Sequence, residues 1–349
     1  MRPFFICTAL LLAVSVLSRP MHAAATSATL ARVRANGVLR CGIDVEQAEY
    51  STSDDHGNRQ AFDTDLCRAV GVAVLGKNAQ IKMMPFPDDR TSMQALTNGD
   101  VDLIATLTDD FTHSVGTHIE FTRPVLWDGV GFLLPAGSQI TSARQLTGKK
   151  ICFIAETTVE ESVRAWFNQK HLNFVPFPFQ EEGEMQAAFA TGNCGALAGD
   201  QTRLAQFRTA LSQHQQHSRM LPEQISKDPL ASATLDKDPQ WAAIVSWVNE
   251  ALVQAEESGI TQANVNRMRT LANAPEGTDP TLRFLLGASH QIGTALQLDD
   301  DWVVHVIEVT GNYGEIYARD LGNASVEKLP RGENRLRGSG GMKLALPPK

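Results

Sequence analysis

Four cysteines, Cys41, Cys67, Cys152 and Cys194, fall in this chain as two neighbouring pairs, and a fifth, Cys7, lies close to the N-terminus. Paired cysteines persist as disulfides where the compartment is oxidising. Sequence alone permits three connectivities for four cysteines. The local pairings, Cys41 with Cys67 and Cys152 with Cys194, are preferred because each would tie a strand to an element of its own lobe. Such a bridge stabilises by about 2–4 kcal/mol. Zinc is the competing reading, but the chain has no C-x-x-C spacing. Two similarly stapled lobes in an exported protein are therefore expected.

The N-terminus agrees with export. Arg2 gives a positive start, Phe4 to Leu17 is an apolar run of about 14 residues, and Ala23-Ala24-Ala25 offers small residues for cleavage. Residues 1–25 are read as a cleavable signal peptide. The run is short for a membrane span, and Cys7 is placed too early for lipid attachment. What remains is long enough for about two domains. The net charge is −8 and no long basic stripe occurs, which argues against nucleic acid.

Along the chain, Val38–Ile43 reads as a strand and Asp54–Asn58 as a turn. Phe62–Val74 carries apolar residues at helical spacing. Gln80–Phe86 reads as a strand, Asp89–Asn98 as a helix stopped by Gly99, and Val101–Leu107 as a third strand. Strand, helix, strand, helix, strand predicts a parallel α/β unit. The order restarts with a strand at Lys149–Ala155, a helix at Thr157–Lys170, and a proline-bearing edge strand at Asn173–Pro178. A helix at Glu182–Ala190 and a strand at Gly192–Ala198 complete it. Phe121–Leu134 is β-prone and predicts a crossing between the units, with a return near Met220–Ile225. In the helix predicted over Gln240–Ser258, Trp241, Ile244, Val248, Leu252 and Ala255 form one stripe, read as core. The Gly- and Pro-rich end from Gly338 looks loose.

Several segments carry a family resemblance. They include Gly57-Asn58 with Phe62–Val70, Ala95–Asp102, Cys194–Gln201, Glu256–Val265 and Gly311–Tyr317. The chain resembles bacterial periplasmic solute-binding proteins of polar amino-acid ABC transporters, and within them the general L-amino-acid-binding branch. The resemblance covers about residues 28–348. It implies an α/β, two-lobed periplasmic-binding-protein (Venus flytrap) fold, each lobe a mainly parallel sheet flanked by helices, with ligand in the cleft. It also implies that both cysteine pairs form. The expected division is 26–125 with 226–349 as the first lobe and its C-terminal extension, and 126–225 as the second lobe with the hinge crossings.

A free amino acid brings a carboxylate and an ammonium, and both need partners in a closed cleft. The resemblance places a covering aromatic at Tyr50 and hydroxyl donors at Thr106 and Thr108. It places Thr157 and Thr158 at a helix start suited to an anion, and Asp200 on the ammonium. The chain then departs from the pattern. The family's carboxylate-binding Arg should follow Thr108, yet the sequence there is Asp109-Asp110-Phe111-Thr112-His113, and no Lys or Arg occurs between Arg90 and Arg123. Glu156 replaces a glycine before the two threonines. Asp44, Glu46 and Glu49 accompany Tyr50. The expected ligand is thus a small polar solute, and the lost cation tilts it toward an amine or neutral metabolite.

The resemblance implies hinge closure, delivery to the membrane subunits of an ABC permease, a monomer, a periplasmic location and no catalysis. No P-loop, nucleophile elbow or G-x-G-x-x-G stands out, and neither cofactor nor metal is expected. His214 and His217 have no third ligand in view and read as a solvated helix face. Two alternatives stand: an accessory or sensor protein with a decayed site, or a periplasmic lyase or dehydratase on the same fold, for which Glu156, Asp200 and His113 are the available acid–base groups.

Overall fold

The computed structural model describes residues 27–44, 52–53, 59–213, 217–274 and 279–347. Residues 1–25, Glu46, Glu49, Tyr50, the turn at 54–58 and His214 lie outside the described residues.

The first lobe is a five-stranded sheet. Its strands are β1 (Val38–Asp44), β2 (Gln80–Phe86), β3 (Leu103–Thr108), β4 (Ile119–Asp128) and, far along the chain, β10 (Asp228–Leu235), in the order β2-β1-β3-β10-β4. The second lobe is also five-stranded: β5 (Val130–Pro135), β6 (Lys150–Ile154), β7 (Val175–Phe179), β8 (Ala196–Asp200) and β9 (Ser218–Met220), in the order β9-β5-β8-β6-β7. In each lobe three strands run parallel, β2-β1-β3 and β7-β6-β8. The strands entering or leaving through the crossings pair antiparallel. The proline-bearing β7 lies at a sheet edge, where a missing N–H costs no ladder bond. The closing strand β8 begins at Ala196, later than its Gly192 prediction. Gly192 adopts φ 78° and turns the chain out of the preceding helix, so residues 192–195 form the turn.

Helices cover the sheets as the spacing predicts. In the first lobe α1 (Ala28–Asn36) precedes β1, α2 (Phe62–Leu75) follows it, and α3 (Asp89–Asn98) joins β2 to β3. The short α4 (Phe111–Ser114) lies before β4. In the second lobe come α5 (Thr158–Gln169), α6 (Glu182–Ala190) and α7 (Gln201–Gln213). The chain then returns and adds α8 (Pro239–Glu257), α9 (Val265–Ala272), α10 (Pro280–Leu285), α11 (Gln291–Leu296), α12 (Trp302–Thr310) and α13 (Tyr313–Asp320) to the first lobe. The predicted stripe on α8 is core: Trp241, Ile244, Val248, Leu252 and Ala255 are all buried. The Trp241 indole N–H donates to the Asp102 carbonyl at 2.8 Å. None of the described helices is long and apolar enough to cross a membrane.

Both lobes are stapled. Cys41 on β1 is bonded to Cys67 on α2, and Cys152 on β6 to Cys194 in the turn before β8. Each bridge stays within one lobe.

The extension does more than lengthen the core. Helix α2 is packed on its outer side by α12, α13 and α8, and Phe62 meets Tyr313 and Tyr317 edge-on, with ring centroids 6.1 and 6.5 Å away. Asp65, fully buried on α2, pairs with Arg68 at 2.6 Å and with Arg319. Beyond α13 the chain folds as a strap along the open edge of β4. The Asn334 side chain accepts from the Trp127 N–H (2.7 Å) and donates to the Trp127 carbonyl (2.8 Å), as a neighbouring strand would. Lys343 Nζ donates to the Pro124 carbonyl at 2.6 Å. The end that composition marks as loose is therefore pinned as far as Leu346, by Asn334 and Lys343 on edge groups of β4 and by the Leu346 N–H on Glu250 of α8.

The two crossings lie side by side. Gly129 separates β4 from β5, and Val130 N–H donates to Ser226 Oγ, whose hydroxyl donates to Asp228, at 2.8 Å in both bonds. A Cβ on Gly129 would stand 2.5 Å from the Ser226 carbonyl oxygen, which requires glycine there.

Candidate functional site

In a doubly wound sheet, loops leave the carboxyl ends of neighbouring strands in opposite directions where the strand order reverses, and open a crevice. Both lobes have that switch point. In the first lobe it brings together Asp44 at the end of β1 and Thr106 and Thr108 on β3. In the second it brings together Thr157 and Thr158 after β6 and Asp200 at the end of β8.

On the second lobe, Thr157, Thr158 and Asp200 line one cavity of about 410 Å³, within the range of small-molecule sites. Ile154, Met185, Leu204 and Phe207 supply its apolar wall, and Gln180, Gln186, Glu182 and Arg203 its further polar groups. Thr157 is the N-cap of α5: its hydroxyl accepts from Glu160 N–H and donates to the Ile154 carbonyl at 2.8 Å. Glu156, where the family pattern has glycine, sits at φ 60°, a region that favours glycine. Its N–H donates to Glu160 Oε2 at 2.9 Å.

On the first lobe the predicted donors already have carboxylate partners. Thr106 Oγ1 donates to Asp63 Oδ1 at 2.8 Å, and the Thr108 hydroxyl bonds Asp89. Asp63 is fully buried at the start of α2, and Asp44 N–H also donates to it, at 3.2 Å. Burial pushes its pKa up to about 7, against the lowering effect of Thr106. Asp89 is likewise raised by burial, which the nearby charges of His113 and Arg203 oppose. Thr106 and Thr108 thus sit on a wall of carboxylates.

Where the family's Arg is expected, the structure holds α4. Asp110 is its N-cap and accepts from His113 N–H at 2.9 Å, while Ser114 Oγ donates to Asp109 at 3.1 Å. The two aspartates therefore act locally. Phe111, the first residue of α4, is 80% exposed, and His113 lies between Asp110 (3.0 Å) and Asp89 (3.8 Å).

Two residues that the motif comparison passes over complete the site. Arg203, on the first turn of α7, reaches out of its own lobe to Asp44 at 3.5 Å and also lies 4.0 Å from Glu182. Asp128, the last residue of β4, caps α7: it accepts from Gln201 N–H (3.1 Å), Thr202 N–H (3.4 Å) and the Thr202 hydroxyl (2.5 Å). A first-lobe residue at the hinge thereby holds the helix that carries Arg203 beside Asp200. Burial raises the Asp128 pKa against those hydrogen bonds. The spacing Asp200-x-x-Arg203 is the one sequence signal that exposes this pair. Among the described residues no cluster of His, Cys, Asp and Glu is arranged to hold a metal ion.

Comparison with known proteins agrees with this geometry. Residues 39–268 match the model of the bacterial extracellular solute-binding proteins, family 3. The chain is 38% identical to the general L-amino acid-binding periplasmic protein AapJ of Rhizobium johnstonii over 328 residues, covering 93% of this chain and 94% of that one. It is 34% identical to the glutamate/glutamine/aspartate/asparagine-binding protein BztA of Rhodobacter capsulatus over 325 residues, covering 93% and 94%. Among solved structures, an ABC transporter periplasmic binding protein from Brucella ovis with glutathione bound superposes with a TM-score of 0.78 at 35% identity, covering 91% of this chain and 98% of that one. Two lobes joined by paired crossings, a crevice at the carboxyl ends of both sheets and this likeness along nearly the whole chain place it in family 3 of the bacterial extracellular solute-binding proteins.

Proposed function

We propose that this chain is the periplasmic carrier of an ABC uptake system, taking an amino acid or related amine into the cleft and presenting it to a membrane permease. The observation that carries the reading is the cavity at the carboxyl ends of β6 and β8, with Asp200 inside it and Arg203 reaching across to Asp44. Asp200 takes the ligand's ammonium, a group shared by the amino acids and the glutathione named for the relatives. Ile154, Met185 and Phe207 cover the remainder. Closure proceeds about Gly129 and the Ser226–Asp228 segment, where both crossings run together. A ligand that touches both lobes favours the closed form by its differential affinity. The permease's ATPase supplies the energy, so the carrier works without a cofactor and as a monomer. Residues 1–25 direct it to the periplasm and are removed there.

Calorimetric titration of the mature protein with the standard L-amino acids, their decarboxylated amines and glutathione tests the reading. At least one compound is expected to bind with a micromolar or lower Kd and to lose that affinity in Asp200→Asn. A protein that binds none of them is not this carrier. A second reading, an accessory protein whose lobes close without solute, draws on the Asp44–Arg203 contact; it requires a closed form in solution with no solute present.

A further inference from the structure

We infer that Arg208 is a positioning residue for the cleft. By bonding the loop 322–328 of the C-terminal extension, it fixes helix α7 to the first lobe at a second point and latches the lobes in the arrangement in which Arg203 faces Asp44. The latch goes beyond the carrier reading, because it acts on the lobes whether or not solute is present.

Helix α7 belongs to the second lobe, yet the first lobe holds it at both ends of two turns. Asp128 caps its first turn. Farther along, the Arg208 guanidinium donates to the Glu327 carbonyl. The Thr209 hydroxyl, which bonds the Ala205 carbonyl at 3.0 Å, also lies 3.5 Å from the Val326 carbonyl. The Arg208 contact is partly buried: burial lowers the guanidinium pKa, and the Glu327 charge opposes that. The loop that supplies both carbonyls lies beyond residue 268, where the match to the family ends. Neither crossing contains it, so it joins the lobes separately from the hinge.

The loop is built to hold its shape. Leu329 N–H donates to the Leu321 carbonyl at 2.8 Å and closes its ends, and both leucines are buried. Gly322 N–H donates to the Tyr317 carbonyl (2.7 Å), Ala324 N–H to the Ala318 carbonyl (2.9 Å) and Lys328 N–H to Ser325 Oγ (3.2 Å). These bonds seat the loop on the last turns of α13, which Arg319 ties to Asp65 of α2. A continuous path of packed and bonded groups thus runs from α7 to the helix that carries Asp63 on the cleft wall.

One attachment leaves α7 free to pivot, and two fix its direction. Thr202 and Arg208 stand about 9 Å apart along the helix axis. A rotation of about 30° about the capped turn carries the Arg208 Cα by about 5 Å, well beyond the roughly 0.5 Å by which a hydrogen bond can lengthen. The bond therefore holds in one arrangement of the lobes and breaks in a widely opened one. The arrangement it holds places Arg203 3.5 Å from Asp44 across the cleft. A solute then meets lobes already partly brought together, and the competent fraction sets its apparent affinity.

Small-angle X-ray scattering of the solute-free mature protein reads the latch directly. Arg208→Met should have a radius of gyration about 1 Å above the wild-type value of about 20 Å, and Arg208→Lys, which keeps a donor, should fall between. Gly322→Ala attacks the contact from the other side with Arg208 intact. Its Cβ would stand 2.9 Å from the Ala318 Cα and 3.0 Å from the Tyr317 carbonyl oxygen, so the loop must shift, and the solute-free protein should widen in the same way. With the standard L-amino acids and glutathione as probes, Arg208→Met should release bound solute three- to tenfold faster in stopped flow, the weight of one charge-assisted bond shared with solvent. The radius of the saturated variant should stay at the wild-type value. A merely structural role would lower the melting temperature and leave the solute-free radius and the release rate unchanged. Equal solute-free radii and release rates in wild type and Arg208→Met overturn the latch and leave the carrier reading intact. A widened Arg208→Met in a protein that binds none of the probes upholds the latch and overturns the carrier reading.

Discussion

Removing either disulfide should cost stability and leave recognition alone. The bridges close loops with sequence separations of 26 and 42 residues. Loop-closure entropy in the unfolded chain then corresponds to about 3.5 kcal/mol for Cys41–Cys67 and about 4 kcal/mol for Cys152–Cys194. The gap between them, about 0.4 kcal/mol, is too small to rank them. All four sulfurs are buried, so the cavity left by alanine adds to the loss. Each bridge lies within one lobe and neither touches a crossing, so closure and solute affinity should stay within about twofold of wild type. Guanidinium unfolding of Cys41→Ala/Cys67→Ala and of Cys152→Ala/Cys194→Ala in oxidising buffer measures the first expectation, and calorimetry on the same samples the second. A loss below about 1 kcal/mol for either pair would refute the entropy argument. Affinity that falls in step with stability would refute the independence of bridge and cleft.

Three further outcomes follow from the buried charges and the hinge. Asp63 has its folded pKa raised to about 7 from 3.8, so the folded chain holds the extra proton between those values; stability is largest at the acid end of that window and declines as pH rises through about 7. A melting-temperature series on Asp63→Asn should lack that decline, and a slope parallel to wild type contradicts it. Lys343 has the opposite sign: burial lowers its pKa from 10.5 to about 7, so stability rises with pH across that window and Lys343→Met should abolish the rise; an unchanged slope would exonerate the residue. Gly129→Ala forces a Cβ toward the Ser226 carbonyl and should cost about 1–3 kcal/mol while slowing solute exchange in stopped-flow fluorescence; wild-type stability and exchange would mean the crossings are not in contact there.

Much of the architecture can be read from local pattern. Phe62–Leu75 announces itself because its apolar residues recur at helical spacing, and Trp241 to Ala255 do the same on α8. What escapes the sequence depends on distant partners. Asp63 and Asp65 are charges at a helix start, yet both are buried: Thr106 bonds the first, and Arg319, from the far end of the chain, pairs with the second. The antiparallel strands are hidden for a similar reason: their direction is set by where the chain crosses, not by composition. The strap looks loose because Gly and Pro dominate its local signal, while Asn334 and Lys343 fasten it to β4.

The candidate site divides along the same line. Thr157, Thr158 and Asp200 follow from motif position and share one cavity. Thr106 and Thr108 stand near the cleft but serve Asp63 and Asp89. Arg203 escapes the motif because the family pattern puts its cation after Thr108, whereas the fold brings one from the other lobe.

If the two lobes shut on a solute, the distance between them must shorten as it binds. Spin labels on the exposed positions Thr97 of the first lobe and Asn193 of the second, read by pulsed electron resonance, report that distance during titration with whichever probe binds by calorimetry. The distribution should move to a single shorter distance as the calorimetric sites fill, and stay long in Asp200→Asn at the same concentration. Saturation with no change in distance would contradict it.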